Sequence, residues 1–338
     1  MAPRDSSVGS GVGLLPRSEA TGMSKTARLS VVTVAWQTGP HLLESVAAIL
    51  DAPGVDEFVL VNHGNPPELI SALRTMAANT DKFVLIETGA NLGFAKGCNI
   101  GARRTNGDYV LFLNPDAVLA PGVASRLKAS AAKLEDEPIW AIGARITNAD
   151  GTEQRGGRRG ELTPMSALST FFALDRFLPG MRNLHYETQP LSDEMIPMPV
   201  VSGAALMMRR TDFLAIGGFD ERYFLHVEDI DLCRNIRQRG GSVWFEPRAS
   251  IKHYGGTSQT SPLFVESHKG LGFVKYFWKY YPGPLQRLMT MALIGPIFAA
   301  LWGRAAYLRL RGMLRGIRRR RAVARRLRRL KAHRASRG

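Results

Sequence analysis

Four places in the chain gather side chains able to do acid–base or metal chemistry. They are Asp116, the pair Asp220-Glu221, the group Glu228, Asp229 and Asp231, and His253. Asp116 closes the run Gly107-Asp-Tyr-Val-Leu-Phe-Leu-Asn-Pro-Asp116. Its apolar centre, Tyr109 to Leu113, reads as a strand covered on both faces, and Pro115, which has no backbone donor, ends it. Ligands of open α/β sheets sit beyond the carboxyl ends of strands, which is where Asp116 stands; the plain alternative is an aspartate in a solvated turn. Glu228, Asp229 and Asp231 crowd like charges at a helix start, where they complement the dipole. Phe224, Leu225 and Ile230 beside them are apolar, so at least one carboxylate should face a semi-buried pocket. Desolvation there raises a pKa and makes a general base. His253 follows a strand and precedes Gly255-Gly256, a loop in which an imidazole either reaches a metal or serves the fold.

The elements that must hold these groups follow from periodicity. Leu29 to Trp36 is a β-branched run, the first buried strand. Leu42, Leu43, Val46, Ile49 and Leu50 give a crossover helix after Pro40. Glu57 to Val61 is a second strand, ending in a polar turn Asn62-His-Gly-Asn-Pro-Pro67, and Pro67 to Ala78 a second helix. Lys82 to Glu87 is a third strand. Gly93, Gly97 and Gly101 share one face of the next helix and let it lie close to a sheet. Asn106-Gly107 turns the chain into the Tyr109–Leu113 strand. This β-α-β-α-β-α-β order predicts an α/β fold with a mostly parallel, doubly wound sheet. A helix over Pro121–Lys133 and a strand over Ile139–Ile146 come next. Thr147 to Arg159 turns polar and Gly/Arg-rich and reads as a mobile loop over the strand ends. Residues 161–197 give room for one short helix around Ser166–Phe177. Pro199 to Arg209 is a buried strand with a polar point at Ser202-Gly203, and Ser242 to Glu246 a last strand.

The 338 residues carry 45 Lys+Arg against 29 Asp+Glu, a formal charge of +16. Fifteen of those basic residues, and no acid, lie from Gly303 onward, so the remaining body is close to neutral. A nucleic-acid-binding body would carry its charge on the folded surface, so no specific nucleic-acid partner is expected. Cys98 and Cys233 make neither a disulfide framework nor a metal-ligand spacing, in keeping with a cytosolic body. Residues 1–28 are expected to be disordered; Met1 to Thr21 has no apolar signal-peptide core. Leu288 to Trp302 is uncharged and apolar over 15 residues, short of the ~20 that span a bilayer, and Pro296 should break it. A segment over 281–310 lying on the cytoplasmic membrane surface is expected, with an Arg-rich tail at 311–338 drawn to anionic lipid. A docking helix followed by a disordered tail is the alternative.

Six stretches, in this order, resemble the family 2 glycosyltransferases of GT-A fold, especially their bacterial rhamnosyltransferase-like branch. They are Asn91-Leu-Gly-Phe-Ala-Lys-Gly-Cys-Asn-Ile-Gly101, residues 107–116, Val201-Ser-Gly-Ala204, Gly217-Gly-Phe-Asp-Glu-Arg-Tyr-Phe224, Glu228-Asp-Ile-Asp-Leu-Cys233 and His253-Tyr-Gly-Gly256. The resemblance covers residues 29–280 and implies a nucleotide-binding half, 29–120, and an acceptor half, 121–280. It implies an inverting enzyme that uses Mg²⁺ or Mn²⁺ and a nucleotide-diphospho-sugar donor, best guessed as dTDP-rhamnose. The implied acceptor is a lipid-linked saccharide or polysaccharide of the cell envelope, met at the inner face of the membrane. Asp116 resembles the last acid of the metal-binding DxD-like motif, whose first position is here Asn114, and His253 a further metal ligand. Asp229 resembles the general base, with Glu228 and Asp231 orienting it or the acceptor. Ala35, Trp36, Asn91, Gly93, Lys96, Ser202 and Gly203 resemble positions around the nucleotide-sugar. Asn62 stands where the family commonly places a base-binding aspartate. That departure, with Asn114, keeps a catalytically silent binding module of the same fold as the alternative. A dinucleotide oxidoreductase is the third reading, and Gln37-Thr-Gly-Pro40 argues against it by standing where the Gly-x-Gly-x-x-Gly turn it needs would be.

Overall fold

A computed structural model describes residues 27–172, 177 and 184–335. The expected disorder of residues 1–28 therefore lies almost wholly outside the described residues. The first half folds as the periodicity requires: β1 (Leu29–Trp36), α1 (His41–Asp51), β2 (Glu57–Gly64), α2 (Pro67–Ala78), β3 (Phe83–Glu87), α3 (Phe94–Arg104) and β4 (Tyr109–Leu113). These four strands are parallel and neighbour one another in the order β3-β2-β1-β4. β2 runs three residues past Val61, so Asn62 and His63 are buried strand residues rather than parts of an open turn.

The second half continues the same sheet. It contributes β5 (Ala117–Val118), α4 (Val123–Ala132), β6 (Trp140–Thr147), β7 (Arg158–Arg159), α5 (Pro164–Phe172), β8 (Ile196–Pro197), β9 (Val200–Val201), β10 (Ala205–Arg209), α6 (Arg210–Ala215), α7 (Glu228–Gln238) and β11 (Ser242–His253). The sheet order extends as β4-β10-β6-β11-β5, with β10 antiparallel to both neighbours, so the sheet is mixed. The single strand expected over Pro199–Arg209 is divided at Ser202-Gly203-Ala204. β9 leaves the main sheet and pairs with β7. The last strand does not stop at Glu246: it shifts register between Glu246 and Ser250 and ends on His253.

Alternate residues of each strand feed two apolar layers, as a sheet covered on both faces demands. Val32, Val34, Val110, Phe112, Leu206 and Met208 pack under α3, α6 and α7. Val31, Leu111, Leu113, Met207 and Ile142 pack under α1 and α4. On α3, Gly97 and Gly101 allow the close approach read from the sequence. A Cβ on Gly101 would lie 2.4 Å from Val32 Cγ1, and one on Gly97 2.7 Å from Val34 Cγ1.

Two helices close the chain, α8 (Pro262–Tyr280) and α9 (Pro284–Ala335). α9 runs unbroken through Pro296 and through most of the expected tail. Pro296 removes only the rung to Ala292. Packing holds both sides of it, because Thr290, Ile297, Leu301 and Ala305 form one buried stripe and Phe298 and Leu301 crowd Gly270 of α8. The stretch Pro284–Arg311 is 28 residues long and holds an 18-residue window of mean hydropathy 1.4, long and apolar enough to cross a membrane by length and composition. The short interfacial segment expected from the sequence is therefore part of a longer apolar helix.

Candidate active site

The site is built from two strand ends and one helix start. At the first end, β4 stops at Asn114-Pro115 and the chain re-enters the sheet as β5. Register then does the positioning: Ala117 pairs with His253 and Val118 with Lys252. That pairing sets His253 Nε2 3.0 Å from Asp116 Oδ1, and the Tyr254 N–H donates to the Asp116 carbonyl. Thr257 Oγ1 donates to Asp116 Oδ2 at 2.9 Å. Asn114 Nδ2 lies 3.1 Å from His253 Nε2, and Gln154 Oε1 sits 2.5 Å from Nδ1. Burial alone would raise the Asp116 carboxyl, but His253 and the Thr257 hydroxyl hold it below its usual value.

These residues fit a divalent cation. Nε2 carries one proton at most, so it cannot both donate to Asp116 and accept from the Asn114 amide; a cation held by His253 and Asp116 would take the place of the proton shared between them. Gln154 fixes the ring through Nδ1, as a second-layer partner of a metal-bound histidine does. Among the described residues no group of three His, Cys, Asp or Glu side chains converges. Asp116 and His253 would be the side chains to hold the cation, an oxygen and a nitrogen donor compatible with Mg²⁺ or Mn²⁺.

At the helix start, α7 opens with Glu228 and Asp229, preceded by His226 and Val227 at φ +67° and +74°. Two consecutive non-glycine residues in this region store strain, and the β-branched Val227 most of all. α8 holds them there: a Cβ on Gly272 would fall 2.8 Å from Val227 Cγ2. Asp229 Oδ2 accepts from Arg159 Nη2 and from the Gly203 N–H at 3.0 Å. Its Oδ1 accepts from the Ile230 N–H at 2.8 Å. Burial pushes Asp229 up, yet the Arg159 charge and these donors outweigh it and hold the carboxyl below its ordinary value. Glu228 goes the other way. Burial and the neighbouring Asp229 charge raise it, and its Oε2 is buried with no hydrogen-bond partner. The carboxyl that desolvation raises is therefore Glu228, while Asp229 is a preformed anion.

The Ser202-Gly203-Ala204 interruption joins the two ends. Gly203 N–H reaches Asp229, and the Ala204 carbonyl accepts from the Asn114 N–H at 2.9 Å. Lys96 is exposed on the first turn of α3. Asn91 Oδ1 shapes the turn before it by accepting from the Gly93 N–H at 3.1 Å. Gly93, at φ +86°, lies so close to the Phe224 carbonyl that a Cβ would stand 2.7 Å from it. Ala35 and Trp36 end β1, with Trp36 packed over Gly64.

Four expected positions do other work. Asn62 Oδ1 accepts from Asn65 Nδ2 at 2.7 Å and the Gly64 N–H at 3.2 Å, so both lone pairs serve the turn and none is left for a base N–H. Asp231 faces α8, taking Tyr223 Oη at 3.0 Å and Lys279 Nζ at 2.8 Å, and does not orient Asp229. Asp220 and Glu221 brace neighbouring elements through Arg222, Lys279 and Asn99. Conversely, sequence reasoning missed Gln154 and Arg159, because Thr147–Arg159 is not a free loop. Thr147 bridges Glu153 and β7 pairs with β9. The available signal was the Arg158-Arg159 pair: a strand's alternation sends Arg158 into a bidentate pair with Glu153 and Arg159 to Asp229.

Residues 30–217 match the profile described as Glycosyl transferase family 2. The chain belongs to this family. As a family 2 glycosyltransferase it is an enzyme that transfers a hexosyl group, not a silent module of the same shape. It is similar to the N-acetylglucosaminyl-diphospho-decaprenol L-rhamnosyltransferase of Mycobacterium tuberculosis, 28% identical over 251 residues, covering 67% of this chain and 76% of the relative. It is also similar to the rhamnosyltransferase WbbL of Escherichia coli, 25% identical over 174 residues, covering 49% and 62%. Among solved structures it resembles GalNAc-T7 with UDP, GalNAc and Mn²⁺, at TM-score 0.53 and 16% identity, covering 76% of this chain and 50% of that one. A mannosyltransferase from Pyrobaculum calidifontis with GDP-Man and Mn²⁺ matches at TM-score 0.50 and 16% identity over 86% and 81%. The fold is GT-A.

Proposed function

We propose that this family 2 glycosyltransferase is an inverting, metal-dependent rhamnosyltransferase. It takes rhamnose from dTDP-rhamnose and adds it to a lipid-linked saccharide at the cytoplasmic face of the membrane. The observation that carries the reading is one ionised carboxylate, Asp229, held through Gly203 and Ala204 at a fixed offset from the Asp116–His253 pair. Residues 29–120 bind the nucleotide and residues 121–280 take the acceptor.

Asp116 and His253 would hold Mg²⁺ or Mn²⁺, which, when bound, neutralises the charge developing on a departing nucleoside diphosphate. The chain's own side chains do the rest. Lys96, exposed at the start of α3, adds positive charge near the phosphates. Asp229 accepts the proton of the acceptor hydroxyl as that oxygen attacks the anomeric carbon. Arg159 keeps it ionised beforehand and then stabilises the proton-transfer geometry. One attack from one base inverts configuration. Glu228, raised by burial, supplies a neutral O–H that can donate to the acceptor rather than compete for its proton.

The donor sugar and acceptor rest on the rhamnosyltransferase relatives, one of which is named for a diphospho-decaprenol substrate. Membrane contact rests on α9, of which only 22% of the apolar window is buried within the protein. Leu285, Leu288, Met291, Trp302 and Tyr307 stand exposed along it. The arginines from residue 311 onward then meet anionic lipid at about 1 kcal/mol each. The test is incubation with dTDP-rhamnose, Mn²⁺ and a polyprenyl-diphospho-GlcNAc. Mass spectrometry should find one added deoxyhexose, and NMR an inverted anomeric centre. Transfer from another nucleotide-sugar but not this one would replace the donor assignment.

A further inference from the structure

His63 is a buried titratable side chain, 2% exposed, that neither end of the site uses. Val59, Val61 and His63 alternate along β2, and the two valines pack in the layer under α3. The ring lies beneath the first turn of α3: a Cβ on Gly97 would stand 2.7 Å from Nε2. Nε2 is 3.1 Å from the Gly93 carbonyl. A carbonyl can only accept, so Nε2 carries the proton. Burial pushes the imidazole below its ordinary value, so the ring is neutral and Nδ1 is an acceptor. Nδ1 faces the Thr88 hydroxyl at 2.8 Å, and the same oxygen lies 2.8 Å from the Ala90 carbonyl. One imidazole thus ties β2 to both ends of the turn between β3 and α3.

That turn needs a hold from outside itself. Gly93 is the N-cap of α3, at φ +86° and ψ 162°, and has no side chain with which to cap the helix. Its carbonyl also accepts from the Gly97 N–H at 3.0 Å, the first rung of α3, so the His63 bond steadies that rung. Its N–H is taken by Asn91 Oδ1, and Lys96 is exposed three residues further on. A leucine would fill the space under Gly97 as an imidazole does, but it would bring no donor to Gly93. The directed N–H is what a histidine adds. We infer that His63 is a positioning residue for the sugar donor: its Nε2–H fixes Gly93 and so places Asn91 and Lys96 for the nucleotide-sugar. This rests on the donor site proposed above and adds the residue that keeps it in shape. His63 touches no reacting atom and acts through Gly93 alone.

The first measurement is amide hydrogen exchange of the full chain without ligand. His63→Leu should speed exchange of the Gly97 amide about tenfold, the worth of one buried hydrogen bond, and leave Val110 and Leu111 in β4 as they are. His63→Gln, whose amide N–H reaches the same carbonyl, should restore most of the protection. The second measurement is calorimetric titration of dTDP, UDP and GDP with Mn²⁺. For the nucleotide that the native chain binds, His63→Leu should raise Kd about tenfold and His63→Gln by no more than about threefold. In turnover the donor KM should follow Kd, with kcat and the acceptor KM within about twofold of native. His63→Asn, whose amide reaches only the Nδ1 position, should behave as His63→Leu does and decides the matter if the leucine variant does not fold. Unchanged exchange, or faster exchange beside an unchanged Kd, overturns the inference while the donor site stands. Losses shared equally by kcat and the acceptor KM, or no rescue by His63→Gln, would reduce His63 to packing and overturn it too. No binding of any of the three nucleotides by the native chain would remove the donor reading itself, and the role given to His63 with it.

Discussion

The two ends of the site solve opposite electrostatic problems. At the Asp116–His253 end, strand register brings an acid and an imidazole together, the pair proposed to hold a cation. At the Glu228–Asp229 end, two buried acids stand side by side and the protein itself supplies the cation, Arg159. At the first end the acid is paired with a titratable imidazole, whereas at the second it is paired with a permanently charged guanidinium. Their difference underlies the proposed roles, in which the Asp116–His253 end would receive charge with the donor and the Asp229 end would hold the base before the acceptor arrives.

The largest effects should separate these roles by what they spare. Asp229→Asn keeps the shape of the helix start but removes the base, and transfer should fall by about 10³ or more. Metal-dependent nucleotide binding, read by thermal shift, should be unchanged. Asp116→Asn should lose transfer to a similar degree and lose that thermal shift as well. If Asp229→Asn also abolishes nucleotide binding, the two ends are not separate. Next in size is Arg159→Met. An opposite charge at this distance lowers a carboxyl by about 1–3 pKa units, so its removal lets Asp229 rise. The acid limb of kcat/KM should move to higher pH, with activity lost about tenfold near pH 6 and partly regained above, and Arg159→Lys should restore part of the shift. A pH-independent loss would show that Arg159 serves only to hold the loop. Gln154→Ala should be milder: with the ring unsteadied, the Mn²⁺ needed for half-maximal rate should rise by about tenfold, while the acid limb stays in place.

The smallest effect is on stability. Glu228 is raised in the folded state, so the folded protein resists its ionisation. The stability associated with the protonated form is present below the unfolded carboxyl value and is lost as pH rises toward the folded one. Glu228→Gln removes that loss, so its melting temperature should gain on the native chain between pH 5 and pH 8. A constant difference across that range would mean Glu228 is not raised.

The same two ends explain what could be read from the residues alone. Asp116 was legible because a continuous apolar run and a proline mark a buried strand's end, and chemistry gathers at such ends. The helix start was legible because acids crowded beside apolar neighbours need a reason. What joins them was not. His253 meets Asp116 through a two-residue strand, Ala117–Val118, too short to carry any periodicity. Arg159 lies in a segment whose glycines and charges mimic an open loop, and only long-range pairing with β9 turns it inward. Asn62 stands at the expected position, but its oxygen is consumed by a turn that depends on Asn65. Pro296 is a helix breaker by local rule, and burial against α8 overrules it.

The central claim is that donor binding is completed by a metal at Asp116–His253 and is independent of the base. It is tested most directly by the thermal stabilisation of native, Asp116→Asn and Asp229→Asn proteins with dTDP, UDP and GDP, each with and without Mn²⁺. One nucleotide at about a hundred times its Kd should add roughly 2.7 kcal/mol, only with Mn²⁺, in the native and Asp229→Asn proteins and not in Asp116→Asn. A metal-independent shift, or one that survives in Asp116→Asn, would contradict the assignment of that end of the site.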